Sequence, residues 1–415
     1  MTRTSASTHT QDAGGLPPLV APGRPLGGDE AVRYARHLSL PGVGVEGQRR
    51  LAAARVLVVG AGGLGSPALL YLAAAGVGTL GVVDDDVVDA SNLQRQVLHG
   101  TGDVGTPKTA SAAAALADVN PAVRVVEHRE RLGSRNALDL LRGYDLVLDG
   151  SDNFATRYLV SDAAELAGVP VVWGGIYRFQ GQVATFWAAP PGDVEGVTYR
   201  DVFPEPPPPA LAPDCATGGV LGALCGTIGS VMATEAIKLV TGAGRTLLGR
   251  LAVYDALELT WRHLTVRRDP TRPAVAALPD DAAYATFCGV PPVAPPSSPT
   301  TVSPRELAAL RASAAAGDGV EPFVLDVREP WEVQVAALDG AHVVPSGAFA
   351  GPDRDAVVAD VAHRADGRPV HVLCKAGPRA ARVAAVLRDE GLDAREVAGG
   401  IAAWSRDVDP SVPSY

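Results

Sequence analysis

The stretch Val56-Leu57-Val58-Val59-Gly60-Ala61-Gly62-Gly63-Leu64-Gly65 decides how the rest of this sequence is read. Four apolar residues predict a buried strand, and the glycines after them predict a tight turn into a helix. Strand, glycine turn and helix together form a phosphate-binding device. Gly60, Gly62, Gly63 and Gly65 let the backbone approach an anion, and the helix start presents unpaired N–H groups to it. The next apolar strand, Gly81-Val82-Val83-Asp84, ends on a carboxylate placed to accept hydrogen bonds from a ribose.

On its own this is a dinucleotide fingerprint, and a bare G-x-G-x-x-G followed by an acid ordinarily binds nicotinamide nucleotides. The residues beyond Asp84 change that reading. Arg95 and Lys108 lie just past the strand that carries Asp84, where two cations meet a polyphosphate extending from the nucleoside. A further apolar strand, Leu146-Val147-Leu148-Asp149-Gly150-Ser151-Asp152-Asn153, brings Asp149 and Asp152 to the same sheet edge. Carboxylates beside a triphosphate are most simply magnesium ligands. The expected ligand is ATP with Mg2+.

Strand and helix patterns alternate from Val56 to about Val171, which implies a Rossmann-like, doubly wound α/β sheet with helices on both faces. Glu30 to Ala54 reads as helical, and Gly181 to Phe186 as an edge strand. The proline-rich stretch Pro190 to Asp214 reads as a long functional loop. It ends at Cys215, directly before a helix predicted over Gly218–Leu239. Residues 1–28 are expected to be disordered, residues 29–278 to form the first domain, and the proline-dominated stretch 279–299 to be a linker. Residues 300–415 read as a second α/β unit, opened by the capping box Ser303-Pro304-Arg305-Glu306.

With 415 residues, nearly half of them apolar, the chain is long enough for two or three domains with their own cores. A formal charge of −10, with no basic run, argues against a nucleic-acid surface. No apolar stretch suits a signal peptide or a bilayer span, so a cytoplasmic protein without membrane contact is expected. The four cysteines, Cys215, Cys225, Cys288 and Cys374, form no C-x-x-C pair. Neither a disulfide framework nor a structural zinc is favoured.

In the second unit, Val370-His371-Val372-Leu373 runs straight into Cys374-Lys375-Ala376-Gly377-Pro378-Arg379 and a helix. A cysteine at a strand-to-helix turn meets converging N–H groups and the helix dipole, and Lys375 and Arg379 are expected to add positive charge, so a thiolate is favoured. A phosphatase loop needs a longer turn than the four residues Lys375 to Pro378 between cysteine and arginine. The tighter turn suits a sulfur atom better than a phosphoryl group.

This pattern resembles the rhodanese domain, with Asp326-Val327-Arg328 upstream and Gly399-Gly400-Ile401-Ala402-Ala403-Trp404 downstream. The resemblance implies a Cys374 persulfide that hands on sulfane sulfur. Residues 30 to 268 resemble the ThiF/MoeB-type, ubiquitin-activating-like adenylyltransferases. The motifs are Arg33-Tyr34-Ala35-Arg36, Gly60 to Gly65, Asp84, Ser91-Asn92-Leu93-Gln94-Arg95-Gln96, Gly105-Thr106-Pro107-Lys108 and Ser151-Asp152-Asn153. The resemblance implies ATP contacts at Gly63, Asp84, Ser91, Asn92, Leu93, Gln94, Arg95, Lys108, Asp152 and Asn153. It further implies Asp152 as the magnesium-binding, essential acid, and Arg36 reaching the triphosphate from a partner subunit, hence a homodimer. Both domains in this order are similar to the two-domain adenylyltransferase/sulfurtransferases that serve molybdopterin synthase. The implied reaction is adenylation of the C-terminal Gly-Gly of a ubiquitin-like sulfur carrier, then persulfide transfer to give a thiocarboxylate.

Many relatives bind zinc through two C-x-x-C pairs. Here Thr198-Tyr199-Arg200-Asp201 stands at the first and Asp269 to Pro273 contains no cysteine, so zinc is not expected and packing must hold those segments. Cys215 matches a cysteine that in relatives links covalently to the carrier, as acyl acceptor or resolving thiol; a structural role is the alternative. The linker, about twenty residues long, has an r.m.s. reach of roughly 25 Å, which is domain-sized. Two other functions fit parts of the pattern: a nucleotide-dependent oxidoreductase with an accessory rhodanese module, and a non-catalytic docking protein for a carrier and a desulfurase. Asp152, Arg95, Lys108 and Cys374 together speak against a mere scaffold. The sulfur donor is expected to be a cysteine desulfurase persulfide or thiosulfate.

Overall fold

The computed structural model describes residues 15–207, 219–288 and 300–413. The chain divides into two compact units, Met1–Pro292 and Val293–Tyr415.

The first unit is built on an eight-stranded sheet. Its elements in chain order are α1 (Gly28–Arg33), α2 (Ala35–Leu38), α3 (Gly44–Ala53), β1 (Arg55–Val59), α4 (Gly65–Ala74), β2 (Thr79–Val83), α5 (Lys108–Val119), β3 (Arg124–His128), α6 (Ala137–Arg142), β4 (Leu146–Asp149), α7 (Phe154–Ala167), β5 (Val171–Tyr177), β6 (Gln180–Phe186), α8 (Tyr199–Val202), α9 (Gly222–Thr241), β7 (Arg250–Asp255), β8 (Thr260–Thr265) and α10 (Asp281–Phe287). The strand order is β3-β2-β1-β4-β5-β6-β7-β8. Strands β1 to β5 run parallel, and β6, β7 and β8 extend the sheet antiparallel. Successive side chains of β1 enter opposite cores, as a strand buried on both faces requires. Val56 and Val58 pack with α3, α4, α5 and α9, whereas Leu57 and Val59 pack with α6, α7 and α10.

Four expectations change. Residues from 15 onward are ordered: Leu16 is buried, Leu19 N–H bonds Leu239 O at 2.9 Å, and Arg50 holds Val20 O at 2.7 Å. The single helix expected from Glu30 to Ala54 is three short ones: it breaks at Tyr34, and Pro41 and left-handed Gly42 separate the second from the third. Strand β6 is interior to the sheet. The hairpin β7–β8 lies beyond it, and β8 is exposed along its whole length, so its sequence shows no alternation to read. Finally, the expected linker begins with α10, capped by Asp280 and anchored by buried Tyr284, whose hydroxyl donates to Asp162 at 2.8 Å. Helix α9 is apolar enough to cross a membrane, but here it packs on the sheet as a core helix.

The second unit is a five-stranded parallel sheet in the order β11-β10-β12-β13-β9. Its elements are β9 (Thr301–Val302), α11 (Pro304–Ala315), β10 (Phe323–Asp326), α12 (Pro330–Val335), β11 (His342–Val343), α13 (Arg354–Ala365), β12 (Val370–Leu373), α14 (Pro378–Asp389), β13 (Ala394–Val397) and α15 (Gly400–Asp407). Helices α13 and α14 cover one face, α11 and α15 the other. The Ser303–Glu306 capping box closes in both directions.

Candidate active sites

In the first sheet, β1 pairs with β2 on one side and β4 on the other, and chain direction through the sheet reverses there. Crevices outside the carboxyl ends of strands at such a switch point are where α/β sheets bind nucleotides. The glycine turn after β1, Asp84 after β2 and Gly150–Asn153 after β4 all reach this edge. Gly60 N–H bonds Val83 O at 2.9 Å and Gly150 N–H bonds Val59 O at 3.1 Å, which ties the three loops together. The turn closes so tightly that a Cβ on Gly65 would stand 1.8 Å from Gly60 O. Gly60 itself has φ +87°, a conformation side chains disfavour.

The Asp84 carboxylate accepts from Ala61 N–H at 2.8 Å and Asp86 N–H at 2.9 Å. Burial pushes its pKa up, against the opposing pull of Lys108 and those two donors. Lys108 opens α5 and is buried, with Nζ 2.8 Å from Asp86 Oδ2. Arg95 Nη1 donates to Ser91 O at 3.1 Å, and its stem lies 3.6 Å from where a Gly63 Cβ would stand. Cys225 Sγ is 2.9 Å from that same point, so Gly63 is pinched between α9 and the arginine. The loop from Ser91 to Gln96 is held from within by Gln96 Nε2 donating to Asn92 Oδ1 at 2.9 Å.

The two acids of the β4 loop have different places. Asp152 is exposed at the edge, and Asn153 caps α7 through Thr156 N–H at 2.9 Å. Asp149 is buried and accepts from Ser151 N–H at 3.0 Å. Its expected role as a metal ligand is therefore withdrawn: its carboxylate shapes the loop from beneath. A single exposed carboxylate beside phosphate oxygens still fits Mg2+, which is held by one or two carboxylates plus the substrate. Arg36 is exposed on α2. Cys215 lies outside the described residues.

The segments Thr198–Asp201 and Asp269–Pro273 do meet, through charge rather than packing alone. Asp201, its side chain fully buried, accepts from Asp269 N–H and from Arg272 Nε, each at 3.1 Å, and Arg272 Nη1 reaches Glu165 at 3.1 Å.

In the second unit Cys374 follows β12 and is buried. Gly377, at φ +115°, turns its N–H to within 3.1 Å of the sulfur. The loop's carbonyls point the other way: Ile401 N–H takes Cys374 O at 2.8 Å and Ala402 N–H takes Lys375 O at 3.1 Å. The Gly399–Gly400 pair makes this possible, since Gly400 has φ +59° and a Cβ there would lie 2.2 Å from Cys374 O. With its carbonyls tied to the start of α15, the loop turns the Gly377 N–H to the sulfur, which suits a thiolate or persulfide.

Arg379 departs from expectation. Its guanidinium is buried and gripped in a bidentate pair by Glu332 of α12, at 2.6 and 2.7 Å. The pair ties α14 to α12, and Glu332 meets the arginine's charge there. Glu332 was missed in the sequence, although its spacing from Asp326-Val327-Arg328 was available. That motif forms a second buried pair, Arg328 Nε lying 2.9 Å from Asp326 Oδ1.

Comparison with known proteins accords with this geometry. Residues 34–274 match the ThiF family and residues 303–407 the rhodanese-like domain. The chain belongs to the ThiF family, and its two domains make it an enzyme of the adenylyltransferase/sulfurtransferase class. It is 50% identical over 403 residues to the probable adenylyltransferase/sulfurtransferase MoeZ of Mycobacterium tuberculosis, covering 96% of this chain and 99% of that protein. It is 53% identical over 265 residues to the sulfur carrier protein adenylyltransferase of Thermus thermophilus, covering 63% of this chain and 98% of that one. The adenylyltransferase and sulfurtransferase MOCS3 of Mus musculus is 40% identical over 423 residues, covering 96% and 90%. The fold is similar to that of Escherichia coli MccB crystallised with ATP, with a TM-score of 0.51, 20% identity, and coverage of 59% of this chain and 74% of that one.

Proposed function

We propose that the first unit adenylates the C-terminal Gly-Gly of a ubiquitin-like sulfur carrier and that Cys374 then delivers sulfur to it. The observation that carries this reading is the convergence of the glycine turn, Asp84, Arg95, Lys108 and Asp152 on one sheet edge. Asp84 accepts from the ribose, and Arg95 and Lys108 take the charge that develops on departing pyrophosphate. Asp152, together with the phosphates, would hold Mg2+, which would further neutralise that charge. The carrier carboxylate oxygen attacks the α-phosphorus, and the bond to pyrophosphate breaks. The terminal sulfur of a Cys374 persulfide attacks the acyl carbon and expels AMP, giving an acyl disulfide. A second thiol, Cys215 or an external one, reduces the S–S bond and leaves the thiocarboxylate. The persulfide itself comes from a desulfurase or thiosulfate.

An apolar patch supports docking of the carrier. The β5–β6 and β7–β8 turns adjoin through Ala256 N–H and Phe179 O, 2.8 Å apart, and leave Phe179, Leu257 and Leu259 exposed. They stand at the carboxyl end of β5, the nucleotide side of the sheet. The reading further includes a cytoplasmic homodimer in which Arg36 serves the partner's site, and carriers of the molybdopterin type.

The test is ATP–pyrophosphate exchange by the full chain with Mg2+, with and without carriers ending in Gly-Gly. Carrier-dependent exchange is expected. Absence of exchange with every carrier, together with nicotinamide binding, would overturn the reading in favour of an oxidoreductase.

A further inference from the structure

We propose that His99 is a positioning residue for adenylation, because its imidazole fixes the orientation of the peptide at the centre of the glycine turn. The proposal rests on the first unit being a nucleotide site. His99 is 6% exposed and sits three residues beyond Gln96, outside the residues assigned to ATP. Its Nε2 lies 3.0 Å from Ala61 O and its Nδ1 lies 2.8 Å from Ser111 Oγ. A carbonyl can only accept, so Nε2 carries the proton; the neutral ring leaves Nδ1 as an acceptor beside the Ser111 hydroxyl, which the Asp103 carboxylate also engages. Burial lowers the ring's pKa and favours that neutral form; of the charges around it, Lys108 acts in the same direction and Asp103 and Asp84 oppose it.

The consequence lies in the peptide plane. The Ala61 carbonyl and the Gly62 N–H belong to one rigid unit and point in opposite directions. Holding the carbonyl inward on His99 turns the Gly62 N–H outward, toward the crevice. The preceding peptide is fixed as well, since Ala61 N–H donates to Asp84 at 2.8 Å. In a turn of four glycines, no other side chain among the described residues resists a peptide flip at this carbonyl so closely; Ser66 Oγ reaches Ala61 O only at 3.3 Å. The same ring also bonds the first turn of α5, where Ser111 stands three residues after Lys108. One side chain thus couples the glycine turn, the loop ending at Gln96 and the helix that carries Lys108.

Two replacements separate positioning from packing. His99→Gln keeps an N–H near the Nε2 position, whereas His99→Leu keeps bulk and removes the donor. Carrier-dependent ATP–pyrophosphate exchange by the full chain should show the ATP KM of His99→Leu raised about tenfold, as loss of a buried hydrogen bond predicts. Its kcat should change little, and its thiosulfate:cyanide sulfurtransfer not at all. His99→Gln should return most of the lost KM. An unchanged KM in His99→Leu, or a KM equally poor in both variants, would overturn the proposal. If His99→Leu does not fold, Ser111→Ala decides: a raised ATP KM with kcat held is expected, and an unchanged KM overturns it. Failure of the unaltered enzyme to exchange at all would instead refute the adenylation reading, so the two failures are distinct.

Discussion

Glu332→Ala tests whether Arg379 serves the sulfur loop as a clamp or as a charge. Glu332 is 1% and Arg379 8% exposed, and the carboxylate accepts from Nη1 and Nη2 of the guanidinium and from Glu329 N–H at 2.9 Å. Removing it leaves a guanidinium buried without its counter-ion, which costs about 3–5 kcal/mol. A unit of roughly 120 residues unfolds with about 0.25 kcal/mol/K, so its transition should fall by roughly 12–20 °C in scanning calorimetry. The pair Glu332→Leu/Arg379→Leu removes both charges, and apolar replacements of a buried ion pair are often neutral. That double variant should recover most of the lost stability. If Arg379 acts only as a clamp, thiosulfate:cyanide transfer by the double variant stays within a few-fold of the parent. If Arg379 charge stabilises the sulfur anion, the rate stays low although the fold is restored. A shift below about 3 °C for Glu332→Ala would refute the claim that this pair holds the unit together.

Gly400→Ala should abolish sulfurtransfer while leaving pyrophosphate exchange intact, since a left-handed residue whose Cβ would stand 2.2 Å from Cys374 O cannot keep the loop carbonyls turned away; normal transfer would show the loop tolerates another geometry. Asp152→Ala should lose exchange and retain thiosulfate:cyanide transfer, and Cys374→Ala the reverse; loss of both activities in either variant would contradict two separate sites. An ionised Asp84 accepts from a ribose more strongly than a protonated one, and burial raises its pKa, so ATP KM should climb as pH falls through a value above the ordinary one for aspartate. Asp84→Asn should bind ATP more weakly but without that acid limb, and a limb that persists belongs to another group. The stability of the unliganded fold runs the opposite way, because a group with a raised folded pKa binds more protons folded than unfolded and so stabilises as pH falls. Leu257→Arg with Leu259→Arg should raise the KM for the carrier about tenfold with ATP binding unchanged, as loss of buried apolar contacts predicts; an unchanged carrier KM would remove the patch from the interface.

The sequence displayed the parts of the molecule whose chemistry is local. Val56 to Gly65 announced strand, turn and helix because apolar run, glycine and small residues each act within a few positions. The Ser303–Glu306 capping box was legible for the same reason. Strand β8 was not, since all six of its residues are exposed and periodicity reports burial. The roles of Asp149 and Asp152 could not be told apart either. Both are aspartates at one strand end, and only the fold shows that one faces the core and the other the crevice.

The same limit governs the cations, and it turns on the partner rather than on the cation. Lys108 and Arg379 both read as positive charges aimed at an anion, and both are buried and paired in the folded chain. The side chain of Asp86, which holds Lys108, is 69% exposed, whereas that of Glu332, which holds Arg379, is 1% exposed. An exposed carboxylate loses little on release because water takes the ammonium's place, so incoming phosphate can displace it. A buried carboxylate has no such exchange, and separating it from its partner leaves both ions desolvated. Lys108 can therefore exchange its partner for a triphosphate at little cost while Arg379 cannot leave Glu332 so readily, although nothing in the local sequence of either residue distinguishes them. The difference lies in where the fold places the acid: Asp86 on the loop after β2, at the open edge, and Glu332 on the inner side of α12.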